Sequence, residues 1–458
     1  MIPTQRVVLL WIMVVSDFLH PQTLSRQDWQ ERSEAMLDQG YPDHAARLLT
    51  EVLRLSPGEP VALKLRCQAY IELKEYAKAL QDSTTALRTT PEDSELIRIR
   101  AYIHLESNQP DAAETQAGRA LTLDPDDSEA FLIRALARNH RGNLTGMEAD
   151  VREVLRLNPL NPDADYLLGL ALYEQEKYDL ALKELSQLLE RFPDHLEALT
   201  LRGRLYLEKG QPELAHFDVN RALTREPELS ELYVIRAQVY YEQGMTEKAL
   251  QDLDRVIELN RTDNSAFDLR GRIFFEEGQY EKAIADANQA LNLNPHSFEA
   301  YKVRALARYL QGKFHQALAD LKLAEESAPQ DPEIYSIRAL VYYDLGKFDR
   351  VFVETSHTLE LDPGYAEAYA IRALAQIDQR LFREAIENGW KTLEKDPAHF
   401  QAYFILGQAF DGTGEAKQAL YAYRKFLKSA PSVESTRLDR LTAQKRIDEL
   451  GGTGNWLL

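Results

Sequence analysis

Ten arginines recur along this chain at intervals of 34 or 68 residues, and seven of them are followed 16 residues later by a carboxylate. The arginines are Arg32, Arg66, Arg100, Arg134, Arg202, Arg236, Arg270, Arg304, Arg338 and Arg372; the acids are Asp82, Asp150, Asp218, Asp252, Asp286, Asp320 and Glu354. Such a series has two chemical uses. Each guanidinium can pair with its own carboxylate, because its planar fork matches two carboxylate oxygens. Alternatively, the arginines can form a ladder that grips an acidic ligand. The acids accompany the arginines, which favours pairing: Arg66 with Asp82, Arg236 with Asp252, Arg270 with Asp286 and Arg304 with Asp320 are expected structural ion pairs. Leucine replaces the arginine twice. Leu406 is followed by Ala422, as pairing requires, whereas Leu168 is followed by Glu184 and breaks the rule.

Catalytic patterns are absent. No H-E-x-x-H, C-x-x-C or G-x-S-x-G occurs, and the C-terminal "GGTG" lacks the strand, helix and lysine of a phosphate-binding loop. Ten histidines are scattered without metal-ligand spacing on one helix face. The single cysteine, Cys67, cannot form an internal disulfide or a cysteine-based zinc site, and it reads as a small buried thiol. No catalytic, cofactor or metal site is therefore expected. The sequons at Asn143 and Asn260 matter only for a secreted eukaryotic chain. A formal charge of −19 repels phosphate backbones and anionic lipid surfaces, which argues against nucleic-acid or membrane-surface partners. At 44% apolar and 28% charged, the 458 residues suffice for packed cores.

The elements that position the arginines follow from the period. Prolines 57, 91, 125, 159, 193, 227, 295, 329, 363, 397 and 431 fall on a single 34-residue series, with Arg261 at the one gap. Twelve units without insertion fill residues 26–433. Numbered 1 to 34 within a unit, position 4 is usually aromatic, position 8 always small, position 20 mostly alanine and position 32 proline. Glycine stands at position 15 in eight units. Positions 4, 8 and 11 share one helical face, and so do 20, 24 and 27. Glycine at 15 suits the left-handed residue that ends a helix, and proline at 32 stops a second one. Each unit is thus two antiparallel helices, with positions 7 and 23, the arginine and its acid, at one height between them. No unit can bury its faces alone, so the units must stack.

These residues closely resemble the tetratricopeptide repeat family over 408 of the 458 residues. The resemblance implies an all-α, right-handed α-solenoid superhelix of about twelve helical hairpins. It also implies that first helices line an inner groove for peptides or proteins. Several positions depart from the pattern: Asp165 and Ile97 at position 4, Met147 and Val351 at 20, and Arg261 at 32. After the last repeat, "ESTRLDRLTAQKRIDEL" scatters its few apolar residues, which suits a capping helix followed by a frayed tail over 434–458.

In the family, positions 2, 5, 9, 12 and 13 of the first helix face the groove. The clamp that the family uses for chaperone carboxylates needs bases and asparagines at positions 2, 5, 6 and 9. Here position 6 is aliphatic almost throughout and position 2 mostly acidic, which argues against that clamp and against the asparagine ladder of sugar-transferring relatives. The groove offers a stripe at position 12, Tyr173, Tyr241, Phe275, Tyr309 and Tyr343, beside Leu306, Leu340 and Leu374 at position 9. Acids at position 13, among them Glu276 and Asp344, suggest an apolar ligand with basic flanks. Packing against neighbouring helices is the competing role for position 12.

The N-terminal residues 1–25 carry Arg6 and the apolar run Val7–Val15, too short to span a bilayer but matching the core of a secretory signal peptide. Export is the expectation, although no A-x-A cleavage site is present; a hydrophobic tail or anchor on a cytoplasmic protein is the alternative. The chain therefore reads as a non-enzymatic scaffold that binds another protein, or as a module that self-associates into a homo-oligomer.

Overall fold

The computed structural model describes residues 25–433 and 436–451; the expected leader, apart from Ser25, and the tail containing Trp456 lie outside the described residues. Among the described residues there are 25 helices and no strand. Every repeat is one antiparallel hairpin. In the eighth, the first helix runs Asn264–Glu276 and the second Tyr280–Leu293.

The hairpin turn is made by position 15. All twelve residues there have positive φ: eight are glycines, such as Gly278 at 72°, and the others are Lys74, Asn108, Glu176 and Arg380 at 55–61°. Gly278 N–H donates to Phe275 O and Gln279 N–H to Phe274 O, at 3.0 and 2.8 Å, satisfying the last carbonyls of the first helix. The second helix ends two residues before the proline, as Leu293 does before Pro295. Asn294, which precedes Pro295, is extended (φ −130°, ψ 94°), as the following ring demands. Asn260, which precedes Arg261, has the same geometry (φ −139°, ψ 94°), so the neighbouring packing maintains the turn without the ring.

The two helices of a hairpin meet at positions 8, 20 and 24. All twelve residues at position 20 are fully buried, the departures Met147 and Val351 included. Size at position 8 is matched to position 24. A Cβ on Gly407 would lie 2.5 Å from Tyr423 Cε1, and one on Gly169 would lie 2.6 Å from Leu185 Cδ2. Among the position-4 departures, Ile97 is fully buried, and the buried Asp165 is held by Arg191.

The chain divides into two compact units at Pro227/Glu228, each an all-α solenoid of six repeats. Within each, the second helix of a repeat packs on the first helices of its own and the next repeat. In the C-terminal unit successive first helices also touch one another and form one continuous layer. Its last hairpin is covered by the helix Arg437–Glu449, whose Ala443 and Ile447 are buried against Tyr423 and Phe426.

Candidate functional site

Each of the seven arginines with an acid 16 residues on is bonded to it. Arg66 donates through Nε and Nη2 to Asp82 at 2.7 and 2.7 Å, and Arg236 does so to Asp252 at 2.7 and 2.8 Å. Arg270 reaches Asp286 at 2.7 and 2.8 Å, and Arg304 reaches Asp320 at 3.0 and 2.7 Å. Arg134–Asp150 and Arg202–Asp218 repeat this two-pronged geometry, whereas Arg338 places Nε and Nη2 on one oxygen of Glu354. The acids are buried and the arginines nearly so. The bond to Asp286, more than the opposing cost of burial, holds the Arg270 guanidinium above its ordinary pKa.

The arginine has a second partner that the sequence reading missed. Arg270 Nη1 donates to Asp254, 16 residues before it, at 2.5 Å. Arg66 reaches Thr50, Arg202 Ser186 and Arg304 Asn288 in the same way, at 3.1, 3.2 and 2.6 Å. One guanidinium therefore ties its own hairpin together and fastens it to the preceding repeat. A polar residue at position 25 was the available signal. Three of the ten arginines, Arg32, Arg100 and Arg372, lack the acid. Arg372 instead contacts the hydroxyls of Thr355 and Ser356 at 3.0 and 2.8 Å, and burial pulls its pKa down. In the third repeat, Arg100 Nε and Gln116 Oε1 are both buried without a hydrogen-bond partner.

The position-12 residues Tyr173, Tyr241, Phe275, Tyr309 and Tyr343 are all half-buried, as are Leu306, Leu340 and Leu374. Each of four aromatics packs on the ring five residues later: Tyr173 on Tyr178, Phe275 on Tyr280, Tyr309 on Phe314 and Tyr343 on Phe348, at 5.7 to 6.1 Å between centroids. The tyrosine hydroxyls link repeats. Tyr309 donates to Asp344 at 2.7 Å and Tyr241 to Glu276, each acid being position 13 of the next repeat. Burial, reinforced by Glu276, pushes the Tyr241 hydroxyl up to about 12. The aromatic stripe thus has one flank in the packing and one towards solvent.

Beside it lies a second pattern. In repeats 7–11, eight of the ten residues at positions 2 and 13 are acidic and none is basic. Helix geometry puts position 2 about 10 Å to one side of position 9 and position 13 about 6 Å to the other. Leu306, Leu340 and Leu374 therefore form an apolar row between two acidic rows, of which Glu299, Glu367, Asp344 and Asp378 are exposed. Bases at position 5 do not stand free in this layer. Lys302, the base at position 5 of repeat 9, is buried and bonded to Asp331, Glu333 and Glu299 at 2.8, 2.7 and 3.2 Å. Asp268 occupies position 5 of repeat 8. Burial pushes its carboxyl up to about 6, against hydrogen bonds from Ser297 and Asn264.

Cys67 is buried, its Sγ 3.3 Å from Ala79 O, and burial pushes its thiol up to about 12. Among the described residues no group of His, Cys, Asp and Glu is arranged to hold a metal ion, and no helix is long and apolar enough to cross a membrane. Asn143 Oδ1 accepts from Gly146 N–H at 3.0 Å and caps the helix Leu144–Leu157.

Comparison with known families agrees with the hairpins. Profiles described as tetratricopeptide repeat match residues 100–162, 148–194, 166–225, 200–265, 269–342 and 372–434. The chain belongs to the tetratricopeptide repeat family. No curated protein matches it in sequence. Among solved structures, a chain of the APC/C hetero-tetramer Cut9–Hcn1 is similar, with a TM-score of 0.55 and 14% identity over 96% of this chain and 98% of that one. Yeast Tom70 gives a TM-score of 0.41 and 17% identity over 93% and 96%. A tetratricopeptide repeat protein from Parabacteroides merdae gives 0.45 and 22% over 54% and 98%. The first of these likenesses supports the all-α solenoid fold.

Proposed function

We propose that this chain is a non-enzymatic scaffold that binds another protein through the layer of first helices, and that its ligand is a segment with an apolar centre and basic flanks. One observation carries the reading: the row Leu306, Leu340 and Leu374 runs between two rows of acids in which no base stands. An apolar strip provides the contact area, and the acids orient a basic partner and speed its approach. Membership of the repeat family supports a protein partner, and the related fold in the Cut9–Hcn1 hetero-tetramer belongs to a multiprotein assembly. The apolar run Val7–Val15 supports export before binding.

A displayed library of random peptides tests the ligand class. Enriched peptides should carry Lys or Arg on both sides of two or three large apolar residues. Their affinity should fall at least tenfold with Asp344→Lys/Asp378→Lys, two exposed positions, and fall again as salt rises. Enrichment of acidic or neutral peptides, or binding indifferent to the double variant, would remove the reading.

A further inference from the structure

The acidic face has a complement within the same molecule. Residues 415–449 carry eight Lys and Arg against five Asp and Glu, whereas the whole chain carries 54 against 73. At the centre of this basic end is an uncovered apolar patch. Leu438 is 74% exposed, Leu441 60% and Val433 51%. Leu438, Leu441 and Lys445 follow one another at helical spacing, and Lys445 and Arg437 are exposed. The patch is no sign of a poorly seated helix. Ala443 and Ile447 on the opposite face are buried, Arg440 donates to Leu427 O and Ala430 O at 3.0 and 2.8 Å, and Arg446 holds Asp411 at 2.7 Å. The helix is fastened on one side and offers leucines flanked by bases on the other.

We propose that the C-terminal end of one molecule docks on the acid-lined leucine row of a second copy. The inference rests on the ligand class proposed above and names its occupant: a segment of this same chain. The dimensions agree. Packed helices lie 8–10 Å apart, so the row from Leu306 to Leu374 is roughly 20 Å long, and the 13-residue helix Arg437–Glu449 is also about 20 Å. Charge agrees as well. Arg437 and Lys445 meet the rows that contain Asp344, Asp378, Glu299 and Glu367, while Leu438 and Leu441 cover the leucines between them. The two surfaces differ, so the contact is head-to-tail and extends into open chains unless the geometry closes a ring.

Light scattering of the full chain over a concentration series tests this with two surface variants. One carries Leu438→Asp/Leu441→Asp and disables the basic end; the other carries Asp344→Lys/Asp378→Lys and disables the acidic face. Circular dichroism melts check that both are folded, and Arg437→Glu/Lys445→Glu is a second way to disable the basic end. The wild type should grow in mass with concentration and shrink towards monomer as salt rises. Each variant alone should stay monomeric. Their equimolar mixture should form a one-to-one complex, since the intact end of one meets the intact face of the other. A wild type that is monomeric up to about 100 µM, a folded variant that still self-associates, or a mixture that stays monomeric would overturn the inference. Should the wild type be monomeric while basic peptides still bind and are lost with Asp344→Lys/Asp378→Lys, only the occupant is wrong. Should those peptides also fail, the reading of the face falls with it.

Discussion

Arg270 makes three bonds with two acids, and its loss would leave the buried Asp286 charged and unpartnered. Breaking such a pair from one side costs roughly 3–5 kcal/mol, while replacing both members with apolar residues costs far less. Asp286→Ala is therefore expected to destabilise strongly in urea unfolding, and Arg270→Met/Asp286→Leu less than Asp286→Ala alone. The reverse experiment is available in the third repeat, where Arg100 Nε and Gln116 Oε1 face burial without partners. Gln116→Asp places there the acid found opposite other arginines and should stabilise by roughly 1.5–3 kcal/mol, the usual worth of a hydrogen bond to a charged group. Asp268 predicts a pH dependence. Its carboxyl is pushed from 3.8 up to about 6 in the folded chain. The folded state then holds the proton more tightly than the unfolded one, so stability falls as pH rises between those values and stays lower above them. Asp268→Asn should raise the melting temperature at pH 7 and flatten that slope. A titration of melting temperature from pH 4 to pH 7 reads both effects.

The hairpin is decided by a few backbone positions. Glu176 and Arg380 take φ of 59° and 61°, in the left-handed region where a Cβ is strained. Glu176→Gly and Arg380→Gly are expected to stabilise by about 1 kcal/mol each, and Gly278→Ala to destabilise by a similar amount, as thermal midpoints would register. Arg261→Pro should stabilise by about 0.4–1 kcal/mol, because Asn260 already has the extended geometry that a following proline requires. Much of this was legible in the sequence. Gly278 and Pro295 announce the turn and the stop because only a few residue types tolerate those dihedrals. Lys74 and Glu176 announce nothing, since their φ is imposed by two helices packed on either side. The Arg270–Asp286 pair was equally legible, because it lies within one hairpin whose geometry the period defines. The bond from Arg270 to Asp254 was not, because it depends on how neighbouring hairpins are set against each other.

At the scale of the molecule, a solenoid has ends, and the C-terminal one is closed by the helix Arg437–Glu449. Ile447 is 5% exposed in the cluster around Tyr423 and Phe426. Ile447→Asp would undock the helix and bare those aromatics. Its melting curve should show an early loss of about 13 helical residues, and hydrogen exchange should rise over residues 416–449 and little before them. A single cooperative shift spread over all repeats would contradict this. The same helix carries the exposed leucines that make the basic end self-complementary to the acidic face, so closing the core and offering a docking edge are tasks of its two opposite sides.

By itself the sequence determined the unit: a 34-residue hairpin, its turn, its stop, its small helix contacts and the acid opposite seven of the ten arginines. These are local, set by dihedral preference and by spacing along one or two helices, and twelve repetitions make the pattern plain. The tertiary structure decided what passes between units. It set the third bond of Arg66, Arg202, Arg270 and Arg304, the Tyr241 and Tyr309 hydroxyls seated on the next repeat's acids and the exposed patch of Leu438 and Leu441. Such features depend on the offset and rotation between stacked hairpins, and no single helix period encodes either.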